Sequence, residues 1–376
     1  VKKWWIMFPI CILLSGCWDE RPLRTMKLIF GAGMDMQEDD RYSLTIEMPI
    51  EGAGGGSSGQ GGQGGGQGGQ AQTSQVMSED GITVRDSAYK LDRKVGGVLD
   101  VSKLRVLVIG EDGAEKGLYS FLDALYRNAS SPLNAKIAIV EGKAGTLFQS
   151  EISGEQLHSE YLYKLIMSAE KESMAPVTNL QFICISLLDN GSDPVLPFMK
   201  YNEKNKAVEI SGGALFNGTK MTGTITPDEM SAFLLLADQM GKELSFTIPA
   251  DEGRKLTILI EKSKRKMKVD TTNKDHVTAD ISLDLSVRVL EYPPDHLDDE
   301  KKLNELNKLV SDELEKIFTQ TMDKMKMADS DTLGFGRQIM AKDPKKFEKM
   351  NWKKSYRSAD VKIRVKTKII SGGVIL

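Results

Sequence analysis

Apolar residues recur along this chain with two periods, and each change of period predicts a change of element. Alternation with polar neighbours marks a strand over 42–48. A longer one runs over 277–290, where Ala279, Ile281, Leu283, Leu285, Val287 and Val289 share one face. A third closes the chain over 361–370, with Val361, Ile363 and Val365 set against Lys362, Arg364, Lys366 and Lys368. Short, mostly apolar runs predict strands at 27–30, 104–109 and 135–140, and another around Cys184 in 180–187. Gly31-Ala32-Gly33 and a polar turn then join the first two strands. The three-to-four spacing predicts helices over 84–95, stopped by Gly96-Gly97, over 117–128 and over 155–171.

A polar, Pro-containing connection over 189–197 leads to a second unit that starts near Lys206. Asn217-Gly218 predicts a hairpin turn. Thr226-Pro227-Asp228-Glu229 reads as a capping box, opening a helix through Phe233, Leu234 and Met240 to Gly241. A strand at 256–260 and the long one at 277–290 follow. After Pro293-Pro294 a charged helix of about thirty residues, roughly 45 Å long, spans 298–327. Its stripe of Leu303, Leu306, Val310, Leu314, Ile317, Phe318 and Met325 suits packing on the sheet whose strands flank it. A short helix begins at Asp343-Pro344. The fold class expected is α+β (mixed α/β): several sheet-plus-helix subdomains, with the long helix on a mainly antiparallel sheet. The expected division is 1–16, 17–200 and 206–376.

The start of the chain has its own logic. Lys2-Lys3 precede an apolar run from Trp4 to Leu14, and Leu14-Ser15-Gly16-Cys17 ends it. A basic region, an apolar region and a small-residue cleavage site form a secretory signal, and Cys directly after Leu-Ser-Gly matches the bacterial lipobox. The expectation is cleavage after Gly16 and lipid on Cys17. A membrane-spanning helix needs about 20 apolar residues, and Trp18-Asp19-Glu20-Arg21 stops this run well short. A Gly-, Gln- and Ser-rich tract over 52–70 cannot bury apolar surface and is expected to be disordered, its ends roughly 24 Å apart.

Composition narrows the chemistry. The 40% hydrophobic and 27% charged residues are those of an ordinary globular protein, and a net charge of -3 gives no reason to expect a nucleic-acid partner. Of three cysteines, Cys11 leaves with the signal and Cys17 takes the lipid, so Cys184 has no partner for an internal disulfide; it is expected as a small buried hydrophobe. His158, His276 and His296 are isolated, without metal-ligand spacing. No Gly-x-Ser-x-Gly elbow is present, and Gly110-Glu111-Asp112-Gly113 has the wrong spacing and charge for a nucleotide loop. No catalytic, metal or cofactor residue is expected. Two basic strand faces stand out, Lys262, Lys264, Lys266 and Lys268, and Lys362, Arg364, Lys366 and Lys368. They read either as solvated or edge-protecting faces or as a patch for anionic headgroups or an acidic partner.

The segment Gly16-Cys17-Trp18-Asp19-Glu20-Arg21-Pro22-Leu23 resembles the N-terminus of the Ger(x)C family, spore germination lipoproteins that are C subunits of nutrient germinant receptors. The likeness continues in order through residues 106–111, 121–127 and 211–216 to Asp331-Thr332-Leu333-Gly334-Phe335-Gly336. It departs at Lys103, where many members carry a histidine. The resemblance implies a non-enzymatic protein on the outer face of the spore inner membrane, held by lipid on Cys17. Its implied partners are the A and B subunits of the receptor, and its implied task is nutrient-triggered germination. A solute-binding lipoprotein of a transporter is the other reading. It would call for two lobes around an aromatic-lined cleft, which the low aromatic content and the long charged helix do not suit.

Overall fold

The computed structural model describes residues 25–50, 74–154, 157–250, 253–272, 276–292 and 299–371. The signal segment, Cys17, the Gly-rich tract and His296 lie outside the described residues.

Four parallel strands form the middle of an eight-stranded sheet: β2 (Gly31–Met36), β6 (Val106–Gly110), β7 (Lys136–Val140) and β8 (Val195–Asn202). Antiparallel strands β3 (Tyr42–Pro49) and β4 (Ser74–Gly81) extend one side, and β9 (Ala207–Asn217) and β10 (Lys220–Ile225) the other. A separate parallel pair joins β1 (Met26–Leu28) to β5 (Val98–Asp100). The central strands are mostly apolar because both faces are covered. Leu107, Ile109, Ile137 and Ile139 pack into one layer with α1 (Val84–Asp92), α2 (Glu111–Lys116), α3 (Tyr119–Tyr126) and α6 (Leu180–Leu187). Val106, Val108, Ala138 and Val140 face the other layer, with α4 (Ala144–Gln149) and α5 (His158–Lys171).

Several expected elements are corrected here. Leu180–Leu187 is a helix, not a strand: Asn179 caps it by accepting the Phe182 N–H, and Cys184 is half-buried rather than in the core. The strand expected at 27–30 is present only as β1, Met26–Leu28, and Gly31-Ala32-Gly33, expected to join two strands, instead opens β2. Gly31 belongs in that strand because the Phe148 ring lies against it; a Cβ there would sit 2.7 Å from the ring. Gly110 and the three residues after it form the entry to α2, and β8 begins at Val195, inside the expected connection.

The C-terminal sheet has the order β11 (Leu244–Pro249), β12 (Lys255–Thr272), β13 (His276–Glu291), β14 (Asp360–Ser371). The first three strands are antiparallel and β14 is parallel to β13. The capping box forms as expected on α7 (Pro227–Leu236), with Thr226 and Glu229 bonding reciprocally. This helix ends at Leu236, earlier than expected, where Asp238 takes a left-handed φ of 59°. The long helix is α8 (Glu300–Met327), 28 residues and about 42 Å. Its buried stripe, Leu306, Val310, Leu314, Phe318, Met322 and Met325, lies in one apolar core with Ile281, Leu283 and Leu285 of β13. Three short helices, α9 (Phe335–Lys342), α10 (Pro344–Lys349) and α11 (Trp352–Arg357), complete the cover before β14.

Candidate interaction surfaces

Register turns the two basic stripes into one face. Lys262, Lys264, Lys266 and Lys268 of β12 stand opposite Ser286, Asp284, Ser282 and Asp280 of β13. Those four in turn stand opposite Lys368, Lys366, Arg364 and Lys362 of β14. Side chains alternate across a strand, so all twelve lie on the face away from α8. The intervening residues, such as Met267 on β12, Ile281 on β13, and Ile363 and Val365 on β14, turn to the apolar core. Two cations of this face are paired, Lys268 with Asp270 at 2.9 Å and Arg364 with Asp280 at 3.2 Å, and both stay well exposed.

A second constellation joins the two sheets. The buried carboxylate of Asp331 accepts the N–H groups of Phe335 at 2.9 Å and Gly336 at 2.8 Å, at the start of α9. Asp193 lies beside it: Oδ2 accepts the Asp331 N–H at 2.7 Å and Oδ1 the Gly218 N–H at 2.6 Å. Burial pushes Asp331 up to about 7, against the pull of the Gly336 and Phe335 N–H groups and with the push of Asp193. Burial also raises Asp193. Arg337 pairs with Asp189 and donates its N–H to Gly191 O at 2.8 Å. The carboxylates are thus committed to backbone N–H groups, and the arrangement is a latch between the loop before β8 and the end of α8. In the sequence the segment from Asp331 to Gly336 stands out only by resemblance; in the structure Gly334 within it takes φ +70°.

A cleft of about 790 Å³ lies next to this latch, between α6 and the C-terminal sheet. Val177, Phe182 and Ile185 line it and are exposed, facing Met240 and Met267. Of the histidines, His276 bonds Asp360 at 2.9 Å. His158 bonds the fully buried Glu47, whose carboxylate also accepts the N–H groups of His158 and Ser159 at the start of α5. Among the described residues no three His, Cys, Asp or Glu side chains gather as a metal site.

The fold is that of a spore germination protein. Residues 19–201 match the model of the spore germination protein N-terminal domain, and residues 211–373 that of the spore germination B3/GerAC-like C-terminal domain. The chain belongs to the Ger(x)C family. It is 24% identical to spore germination protein GerQC of Bacillus cereus, over all of this chain and 99% of that one. It is 26% identical to spore germination protein KC of Bacillus subtilis, covering 93% of this chain and 90% of that one. The crystal structure of the GerBC protein superimposes with a TM-score of 0.58 at 18% identity, over 90% of this chain and 97% of that one. The gap between the two matched regions, 202–210, holds the end of β8, the turn after it and the start of β9, inside the eight-stranded sheet.

Proposed function

We propose that this chain is the lipid-anchored C subunit of a spore nutrient germinant receptor, acting without catalysis beside its A and B subunits. The observation that carries the reading is the family match along nearly the whole chain, together with Gly16-Cys17-Trp18 at its start. In this reading the signal segment is removed after Gly16, the Cys17 thiol takes a diacylglycerol unit by thioether formation, and the new amino terminus is acylated. Two or more chains, at about 0.8 kcal/mol per buried CH₂, hold the protein on the outer face of the spore inner membrane. The described residues contain no helix long and apolar enough to cross a membrane. A solute-binding role has no specific observation in its favour.

The test is nutrient-triggered loss of refractility in spores lacking the protein, complemented with wild type or Cys17→Ala. Loss of response to one nutrient class, restored by wild type and poorly restored by Cys17→Ala, is the expected result. Normal responses in spores stripped of this protein and its paralogues would overturn it.

A further inference from the structure

We infer that the outer face of the C-terminal sheet is a docking surface for a layer of anionic lipid headgroups. Its cations form two rows separated by β13. Strand spacing sets the rows about 10 Å apart, and each row is about 20 Å long. Between them Asp280, Ser282, Asp284 and Ser286 are short, so the long lysine side chains on both sides stand outermost. Among the described residues, Lys262, Lys264, Lys266, Lys362, Lys366 and Lys368 are all exposed and have no ion-pair partner. The chain as a whole carries -3, so this face is a local concentration of positive charge on an acidic protein, and its field orients the molecule toward an anionic surface.

Edge protection does not account for these residues, because other side chains already do it. On the open edge of β12, Lys342 donates to Val269 O at 2.6 Å and Lys346 to Thr271 Oγ1 at 2.5 Å. On the open edge of β14, side chains of α8 accept the N–H groups of Val365, Thr367 and Ile369. The face lysines extend off the sheet instead. An acidic protein partner fits less well. Protein interfaces centre on buried aromatic and apolar anchors and are poor in lysine; the twelve paired positions of this face are Lys, Arg, Ser and Asp, and the exposed Leu290 and Ile370 lie beyond one end of the two rows. A broad array of exposed, unpaired lysines without an apolar centre matches an anionic layer, where each lysine near the surface adds about fivefold in affinity.

The inference rests on the lipoprotein reading for bringing a membrane within reach, and the experiment separates the two. The chain from residue 17 onward, carrying Cys17→Ala so that no acyl group is attached, is sedimented with phosphatidylcholine vesicles with and without phosphatidylglycerol. Acylation of wild-type Cys17 is read independently, by mass, on protein from cells. Binding to the phosphatidylglycerol vesicles alone is expected. Lys264→Gln/Lys266→Gln/Lys366→Gln should weaken it about a hundredfold, with an unchanged melting midpoint. Lys103→Gln/Lys204→Gln/Lys220→Gln, which removes the same charge from exposed sites elsewhere, should leave it within about twofold. Equal binding to both vesicle types, or equal loss in the two triple variants, would overturn the inference. So would a face variant that keeps vesicle binding but no longer co-purifies with the other receptor subunits; that result would assign the face to a protein.

Discussion

Asn307 Oδ1 accepts the backbone N–H of Ile369 at 2.8 Å, and the pattern repeats down the helix. Ser311 Oγ accepts the Thr367 N–H at 3.1 Å and Glu315 Oε2 that of Val365 at 3.2 Å. Four helical residues advance about 6 Å and two strand residues about 6.6 Å, so the polar row of α8 stays in step with the free edge of β14. An edge strand that would otherwise recruit another chain is closed from within. Asn307→Ala is expected to cost about 1–2 kcal/mol by stranding the Ile369 N–H. Asn307→Asp keeps an acceptor and should cost less. Urea denaturation and hydrogen exchange at Ile369 check this; wild-type protection in Asn307→Ala would show that the edge is held by something else.

Gly336 sets how closely the latch closes. A Cβ on it would lie 2.8 Å from the Trp352 ring and 3.1 Å from Gly191 Cα, so the ring or the facing backbone would have to shift to admit it. Gly336→Ala should therefore destabilise by about 1–3 kcal/mol through overpacking, although alanine favours a helix. Thermal melting decides the sign: a stabilised variant would mean that Trp352 repacks without cost.

Most elements are legible in the sequence where one face is buried and the other wet. The stripe of α8 and the alternation of β13 follow directly from their burial. Leu180–Leu187 is not legible in that way, because a mostly apolar stretch of eight, broken only by Gln181 and Ser186, shows no clear period; Asn179 before it is the signal that a helix begins. Ser74–Gly81 is a polar edge strand whose existence depends on pairing with β3, beyond the Gly-rich tract. The basic stripes are visible as two, and only the register through β13 makes them one face. Asp193 and Asp331 meet across 138 residues, a relation that no local pattern encodes.

His158 predicts a dependence of stability on pH. Its Nδ1 faces Glu47 at 3.1 Å and its Nε2 the Ser150 carbonyl at 2.6 Å, and only the imidazolium donates on both sides. Burial alone would lower its pKa, but the Glu47 and Ser150 bonds outweigh burial and hold it above 6.5. Burial likewise opposes ionisation of Glu47, and its bonds to His158 and Ser159 outweigh that and hold it below 4.5. The histidine contribution is complete below 6.5 and is lost as pH rises through the raised folded value; the glutamate contribution is complete above 4.5 and is lost as pH falls. The difference in melting temperature between wild type and His158→Gln should be largest between those limits and shrink as pH rises through the raised value of His158. A difference independent of pH would mean that the neutral ring serves equally well.

Asp331 acts in the opposite sense to a salt-bridged acid. Its folded pKa of about 7 lies above the ordinary 3.8, so between those values the folded state holds a proton that the unfolded state has released. Stability therefore falls as pH rises from 3.8 to about 7, and above that the buried carboxylate costs a constant amount. Asp331→Asn keeps one acceptor for the Phe335 and Gly336 N–H groups and abolishes the titration. Wild type should thus lose stability relative to Asp331→Asn on going from about pH 5 to about pH 8. Asp193→Asn, by removing the neighbouring charge, should lower the pKa of Asp331 and move the transition to lower pH. Melting curves of the three proteins across this range test both steps. A wild-type to Asp331→Asn difference that stays flat would show the carboxylate ionised throughout, with its two N–H bonds outweighing its burial.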